Sequence, residues 1–282
     1  MTNRGAEEIE EFFSGFMGAV RPLLLLDYDG TLAPFRVDRF KARPWAGIGE
    51  LLNLIQKQGR TQIVVVTGRP ATEIVPLLGV EPAPEVWGLH GAERLHTDGR
   101  RELDEPSVET QHRLEELREQ LRRDAFGGLL EEKPNAVAMH WRGVAAQRAK
   151  VIETKTRVLF EPLAQTDGLS LLEFEAGLEL RTGRDKGGAV DTLLRASADG
   201  VPHPAAYLGD DITDERAFAA IRGRGLGVLV RRERRKTAAT AWLRPPEELK
   251  EFLIRWLRAC WRLEPARPPA SADFRDNRCG EA

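Results

Sequence analysis

Arg21-Pro22-Leu23-Leu24-Leu25-Leu26-Asp27-Tyr28-Asp29-Gly30-Thr31-Leu32 is the stretch on which the fold turns. Four leucines bounded by a proline and an aspartate are far short of the roughly 20 apolar residues of a membrane span. They suit a strand buried on both faces. The run stops at two carboxylates one residue apart, followed by glycine and threonine. Such a stop places the acids at the carboxyl edge of a sheet, where open α/β sheets bind their ligands. Acids so close repel unless a positive group lies between them or one keeps a proton, and hard divalent cations such as magnesium take oxygen ligands of this kind. Asp and Gly also make ordinary turns, so the stretch needs company.

Working outward, the spacing predicts a short amphipathic helix over Ala6 to Val20, carrying Ile9, Phe12, Phe13, Phe16 and Met17. A helix follows over Trp45 to Gln58 with Gly59 as its stop. Gln62 to Val66 reads as a second buried strand ending in Thr67-Gly68-Arg69-Pro70. A helix over Ala71 to Leu78 and a strand near Val86 to Leu89 come next. Strand, helix, strand, helix, strand predicts a parallel sheet. From Asp185 the same alternation resumes, with helix Lys186 to Ser197 and strand Ala205 to Gly209 ending in Asp210-Asp211. Helix Thr213 to Arg222, a last strand Leu226 to Val230 and helix Glu247 to Leu263 complete it.

Between these halves the pattern changes. Charged helices over Ser107 to Ala125 and Ala145 to Ala164 alternate with hairpins over Leu129 to Arg142 and Leu169 to Arg181. Helix and hairpin, twice, predicts an antiparallel sheet with both helices on one face. The fold class is therefore α/β, a doubly wound Rossmann-like parallel core interrupted by an inserted α+β cap domain. The core is expected over 1–103 and 182–264, the cap over 104–181, and 265–282 reads as a disordered tail rich in Pro, Ala, Asp and Arg.

Composition narrows the function. A formal charge of −2 offers no attraction to nucleic acid or an anionic membrane. The basic run Arg231 to Lys236 lacks interleaved aromatics and reads as a solvated loop. Two cysteines make no disulfide framework and the acidic start is unlike a signal peptide, so a reduced, cytoplasmic, monomeric protein is expected.

The chemistry lies where strands end. Asp27 and Asp29, Thr67, Lys186, and the acids Asp210, Asp211 and Asp214 each have an ordinary reading as turn, surface or helix-cap residues. Converging on one sheet edge, they supply carboxylates for a cation, a hydroxyl donor and a lysine, a set suited to a phosphoryl group.

Their order and placement resemble the four motifs of the haloacid dehalogenase superfamily of phosphatases, with the insertion between the second and third motifs as in members with a type-two cap. Within it, Asp27 to Pro34, Gly88 to Glu93, Glu131-Glu132-Lys133, His140-Trp141-Arg142, Glu179-Leu180-Arg181 and Asp185-Lys186-Gly187 resemble the trehalose-6-phosphate phosphatases, from about Leu23 to about Thr240. Leu89 and Thr182 stand where that family usually has Ser and Pro.

The resemblance implies Asp27 as nucleophile forming an aspartyl-phosphate, and Asp29 as general acid and then base. It implies Mg²⁺ held by Asp27, Asp29 through its carbonyl, and Asp210, with Asp214 supporting the metal. Thr67 and Lys186 would bind the transferring phosphoryl group. Gly68, Arg69, His90, Glu131, Lys133, His140, Arg142 and Glu179 would contact the substrate, with Glu93 near the sugar. The implied substrate is a small sugar phosphate, trehalose 6-phosphate. Another sugar phosphate (sucrose phosphate or mannosylphosphoglycerate), a phosphomutase, and a non-catalytic sugar-phosphate sensor are the alternatives.

Overall fold

The computed structural model describes residues 3–16, 19, 21–36, 38–123, 127–166, 168–197 and 203–261. The expected tail, and Met17, Val20 and Leu263 of the expected helices, lie outside the described residues. The chain runs α1 (Asn3–Ser14), β1 (Leu23–Leu26), α2 (Ile48–Gln58), β2 (Gln62–Val66), α3 (Ala71–Leu78), β3 (Glu85–Gly88), β4 (Glu93–Leu95), β5 (Arg101–Leu103), α4 (Val108–Arg123), β6 (Leu130–Lys133), β7 (Ala136–His140), α5 (Ala146–Leu163), β8 (Ser170–Phe174), β9 (Gly177–Arg181), α6 (Lys186–Ala196), β10 (Ala205–Gly209), α7 (Glu215–Ile221), β11 (Leu226–Val230), β12 (Ala241–Leu243) and α8 (Glu247–Trp261).

Eight strands form one sheet in the order β12-β11-β10-β1-β2-β3-β4-β5. From β12 to β3 every pairing is parallel, while β4 and β5 add on antiparallel. The four leucines of β1 divide by their two-residue period. Leu24 and Leu26 join a core cluster with residues of α1, α2, α3 and α8, whereas Leu23 and Leu25 join one with α6 and α7. A strand covered by helices on both sides has no polar face, which is why its sequence shows an unbroken apolar run. β1 lies between β10 and β2, and chain order runs outward from it in both directions. This is the switch point at which doubly wound sheets open a crevice beyond their strand ends.

Three strands were not foreseen. β4, β5 and β12 are three residues each, too short for a two-residue period to show, and Leu226–Val230 is not the last strand. One consequence concerns Glu93: it belongs to β4 and is fully buried, where its Oε2 accepts from the Ala71 N–H at 2.7 Å and its Oε1 from Arg101 Nε at 2.5 Å. It caps the start of α3 from beneath instead of reaching toward a sugar.

The second sheet has the order β6-β7-β9-β8. Val137, Met139, Leu178 and Leu180 on one face pack with Leu114, Leu117 and Leu121 of α4 and Ile152 and Phe160 of α5. Both helices therefore cover the same side. The opposite face carries Glu131, Lys133, His140, Glu179 and Arg181, and register places Glu131 opposite Ala138 and Ala138 opposite Glu179. The small residues Ala136 and Ala138 lie between the charged ones on that face. Among the described residues no helix is long and apolar enough to cross a membrane.

Candidate active site

Asp27 follows the last residue of β1 and is 4% exposed. Its Oδ1 accepts from Lys186 Nζ at 2.6 Å, and the same amine donates to Asp214 Oδ1 at 2.7 Å. Lys186 is the first residue of α6, held at the sheet edge because Asp185 caps that helix by accepting from Gly188 N–H. Burial would lower the Lys186 amine, but the Asp214 and Asp27 carboxylates hold it well above its ordinary range. It is a permanent cation.

The three acids differ in how much of their hydrogen-bonding capacity is already used. Asp214 Oδ1 accepts from Lys186 and from the Tyr207 hydroxyl at 2.6 Å, and its Oδ2 from the backbone N–H groups of Asp210 and Asp211, both at 2.9 Å. That fills the roughly four lone-pair sites of a carboxylate. Asp210, by contrast, has a buried Oδ1 with no protein partner. Oxygens of Asp27, Asp210 and Asp214 all lie within 4.8 Å of one another. Burial pushes the Asp27 carboxyl up to about 7 despite Lys186, and burial followed by the charges of Asp27 and Asp214 drives Asp210 well above its usual range. Three buried carboxylates around one amine leave excess negative charge, which a hard cation with oxygen ligands would relieve. The donor set and the orphaned Asp210 oxygen fit such an ion. Gly30 closes this floor: its φ is +83°, and a Cβ there would stand 2.1 Å from Asp210 Oδ2.

Beside β1, the end of β2 brings in Thr67, 1% exposed, whose hydroxyl accepts from Arg69 N–H at 3.2 Å and keeps its own proton to donate. Arg69 is only 8% exposed and its guanidinium fork is engaged. Nε donates to Asp29 Oδ2 at 2.6 Å, Nη2 pairs with Asp29 Oδ1, and Nη1 donates to the Arg39 carbonyl at 2.7 Å. Arg69 lines the cavity, yet its principal contact is the Asp29 carboxylate. His90 occupies the left-handed region at φ 57°, after Leu89 at φ 49°. Side chains rarely adopt that conformation, at a cost of about 1–3 kcal/mol each. The turn sets the His90 ring over Gly68, where an added Cβ would be 2.6 Å from ring atoms. Burial, then the charges of Lys133, Arg181 and Lys186, hold the imidazole well below its usual pKa, so it is neutral.

The charged face of the small sheet roofs this floor. A cavity of about 390 Å³ between the two is lined by Asp27, Asp29, Thr67, Gly68, Arg69, His90, Lys186 and Asp210 below, and by Glu131, Lys133, His140, Arg142 and Glu179 above. Of the residues expected from sequence, Asp214 and Glu93 do not line it, both being fully buried, Asp214 behind the floor and Glu93 beneath α3. In the roof, Lys133 Nζ donates to Glu179 Oε2 at 2.6 Å, and the His140 Nε2 pairs with Glu131 Oε2 at 2.8 Å. Burial would raise the Glu131 carboxyl. The hydrogen bond from His140, the Lys133 charge and the hydrogen bond from Arg39 outweigh it and hold Glu131 well below the usual carboxylate range. Arg142 stacks over the Phe35 ring at 4.9 Å, one of the points where roof meets floor.

Several contributing residues were not recognised in sequence. Phe35, Arg36 and Arg39 line the cavity from the irregular segment after β1, a segment with no periodicity to read. Tyr207 looks like one more apolar position of β10 until its hydroxyl is found on Asp214. The run Arg231 to Lys236 is only partly a solvated loop. Arg235 donates to the carbonyls of Asp210 and Asp211, at 3.3 Å from Nε and 2.6 Å from Nη2, and pairs with Glu215, bracing the acidic loop. Arg231 pairs with Glu175 of the β8–β9 turn at 3.1 Å.

Comparison with known proteins agrees with this geometry. Residues 25–245 match the family described as Trehalose-phosphatase. The chain is 31% identical over 243 residues to the trehalose-phosphate phosphatase of Mycobacterium ulcerans, an alignment covering 82% of this chain and 60% of that protein. It thus spans about 60% of the length of the curated relatives it matches. The C-terminal domain of the C. albicans trehalose-6-phosphate phosphatase superposes with a TM-score of 0.74 at 21% identity, covering 89% of this chain and 96% of that one. A solved trehalose-6-phosphate phosphatase related protein gives 0.65 at 27% identity, with 84% and 98% covered. A parallel core whose strand ends carry these acids, roofed by an inserted antiparallel sheet and matched over most of its length, leads to one assignment: the chain belongs to the trehalose-phosphatase family.

Proposed function

We propose that the chain is a Mg²⁺-dependent phosphomonoesterase that hydrolyses trehalose 6-phosphate to trehalose and phosphate, with Asp27 as nucleophile. The observation that carries this reading is the pairing of floor and roof. Asp27, with Lys186 on one oxygen, lies at the bottom of a cavity whose top is a face of charged side chains suited to a disaccharide.

Asp27 Oδ1 is committed to Lys186, while Oδ2 has only a long contact of 3.2 Å from Thr31 Oγ1. Oδ2 is the oxygen available to attack phosphorus, forming a P–O bond to Asp27 as the P–O bond to the sugar breaks. Asp29, once an oxygen is freed from Arg69 and has taken up a proton from solvent, gives that proton to the departing sugar oxygen, then takes one from the water that attacks phosphorus and releases Asp27. Residues two apart in extended chain share a face, so both acids address one phosphorus. Arg69 holds the Asp29 carboxylate in place between these events. The Thr67 hydroxyl and the N–H groups of its loop donate to the transferring phosphoryl oxygens, and Lys186 balances their charge. Asp27, Asp210 and the Asp29 carbonyl would hold Mg²⁺, which supplies further neutralisation of phosphoryl charge when bound. Asp214, already saturated, supports that site from behind through Lys186 and the Asp210–Asp211 backbone. Above, Glu131 and Glu179 accept from sugar hydroxyls while Lys133, His140 and Arg142 donate to them, and His90 bridges the phosphoryl and sugar ends.

Phosphate release from a panel of sugar phosphates, with Mg²⁺ and with chelator, tests the reading. Trehalose 6-phosphate should be turned over best and only with the cation. Good turnover of another member with none of trehalose 6-phosphate would move the assignment to that sugar. No release from any member would point to the sensor. The roof is tested separately with Glu131→Ala. Losing a charged hydrogen-bond partner costs about 1.5–3 kcal/mol, so kcat/KM for trehalose 6-phosphate should fall roughly 10- to 100-fold and for p-nitrophenyl phosphate far less. Equal losses on both would show that the roof does not read the sugar.

A further inference from the structure

Arg39 stands where the acid machinery of the floor and the carboxylates of the roof meet. It opens a short 3₁₀ turn, Arg39–Lys41, whose preceding residue Asp38 accepts from Phe40 N–H. From there it makes three connections of different kinds. Its carbonyl accepts from Arg69 Nη1 at 2.7 Å, and Arg69 is the residue that grips Asp29. One arm of its guanidinium pairs with Glu73, in the first turn of α3, which follows the Thr67–Pro70 loop. The other arm, Nη1, donates to Glu131 Oε1 at 2.5 Å.

The arrangement has a direction. Glu73 and the carbonyl contact both belong to the core and do not involve the small sheet. Glu131 belongs to the small sheet, so Arg39 is a core-anchored arm that reaches across to it. A carboxylate has about four acceptor sites, and Glu131 uses two, one for Arg39 and one for His140. The remaining lone pairs are left for sugar hydroxyls, aimed by one partner on each oxygen. Arg39 thus orients Glu131 without blocking it. Its side chain is 38% exposed, and exposed ion pairs add little to stability. The contact should show in recognition, where geometry counts, and hardly in melting temperature.

We propose that Arg39 is a positioning residue for substrate specificity, aligning Glu131 over the sugar and acting through Glu131 alone. This rests on the reading of Glu131 as a sugar contact. The planar fork is essential, since it reaches two carboxylates at once; a lysine carries the charge but is a point donor on a flexible stem.

A double-mutant cycle decides it, using wild type, Arg39→Ala, Glu131→Ala, the double variant and Arg39→Lys. Each is assayed on p-nitrophenyl phosphate and on whichever sugar phosphate the wild type prefers. Arg39→Ala should raise KM for the sugar phosphate about 10-fold with kcat within threefold, and cost less than threefold on the aryl ester, because the backbone carbonyl that holds Arg69 remains. The double variant should be no worse than Glu131→Ala within about twofold. Arg39→Lys should recover less than half of the KM change on a logarithmic scale. Additive losses, an equal loss on the aryl ester, an unmoved KM, or full rescue by lysine would each overturn the proposal. A preference for a sugar phosphate other than trehalose 6-phosphate would overturn only the substrate assignment, since the cycle is run on the preferred compound.

Discussion

Asp27→Asn is expected to lower phosphate release by about 10⁴-fold or more while the protein stays folded. The size of the loss follows from the role. Removing a covalent nucleophile leaves only binding and electrostatic contributions, and comparable removals elsewhere cost about 10⁴- to 10⁶-fold in kcat. The survival of the fold follows from the contacts. An amide oxygen can still accept from Lys186 Nζ, and the amine keeps its 2.7 Å bond to Asp214. The Asp27 carboxylate is also a poorly tolerated charge, raised to about 7 by burial against the pull of Lys186. Exchanging it for a neutral isostere should leave the melting temperature unchanged or slightly higher. Assaying turnover and thermal unfolding on the same preparation separates the two effects. Turnover within 100-fold of wild type would remove Asp27 as nucleophile, and an unfolded variant would show that its charge is structural.

Lys186→Ala should be the reverse case, losing both activity and stability. The amine is 3% exposed and bridges two carboxylates that are 4% and 0% exposed. Taking away one member of a buried ion pair leaves uncompensated charge in a medium that solvates it badly, at a cost of about 3–5 kcal/mol. At about 2–4 °C per kcal/mol for a protein of this size, the melting temperature should drop by roughly 6–20 °C. Turnover should fall by about 10²–10³-fold through the lost phosphoryl neutralisation. Thermal unfolding in chelator isolates the stability effect from any added cation. A shift under 2 °C would mean that Asp27 and Asp214 find solvent or protons readily without the lysine.

Much of the fold was legible because the motifs lie where local patterns end. β1, β2 and β10 are continuous apolar runs, which only strands with helices on both sides produce, and each stops at a polar turn. Gln62–Val66, Ala71–Leu78, Ala205–Gly209 and Leu226–Val230 have the bounds that the patterns indicate. The hairpins of the small sheet were legible by alternation, since only one of their faces packs on α4 and α5. β4, β5 and β12 were not, because three residues carry no period. Glu93 was misplaced for the same reason: read as part of a loop it points anywhere, whereas as a strand residue it points beneath α3.

For the site, the sequence by itself determined which chemical groups arrive at the sheet edge, because strand termini and a two-residue period dictate that locally. The order Asp27, Thr67, Lys186, Asp210 along the chain already contains the floor. Tertiary structure decided how those groups share their hydrogen bonds. It filled the lone pairs of Asp214 through Tyr207, left Asp210 open, turned Arg69 onto Asp29, and folded Arg235 back on the acidic loop. It also joined floor to roof through Arg39 and Glu131, 92 residues apart. Contacts of that kind depend on where a planar fork or a hydroxyl ends up after packing, and no local pattern encodes them.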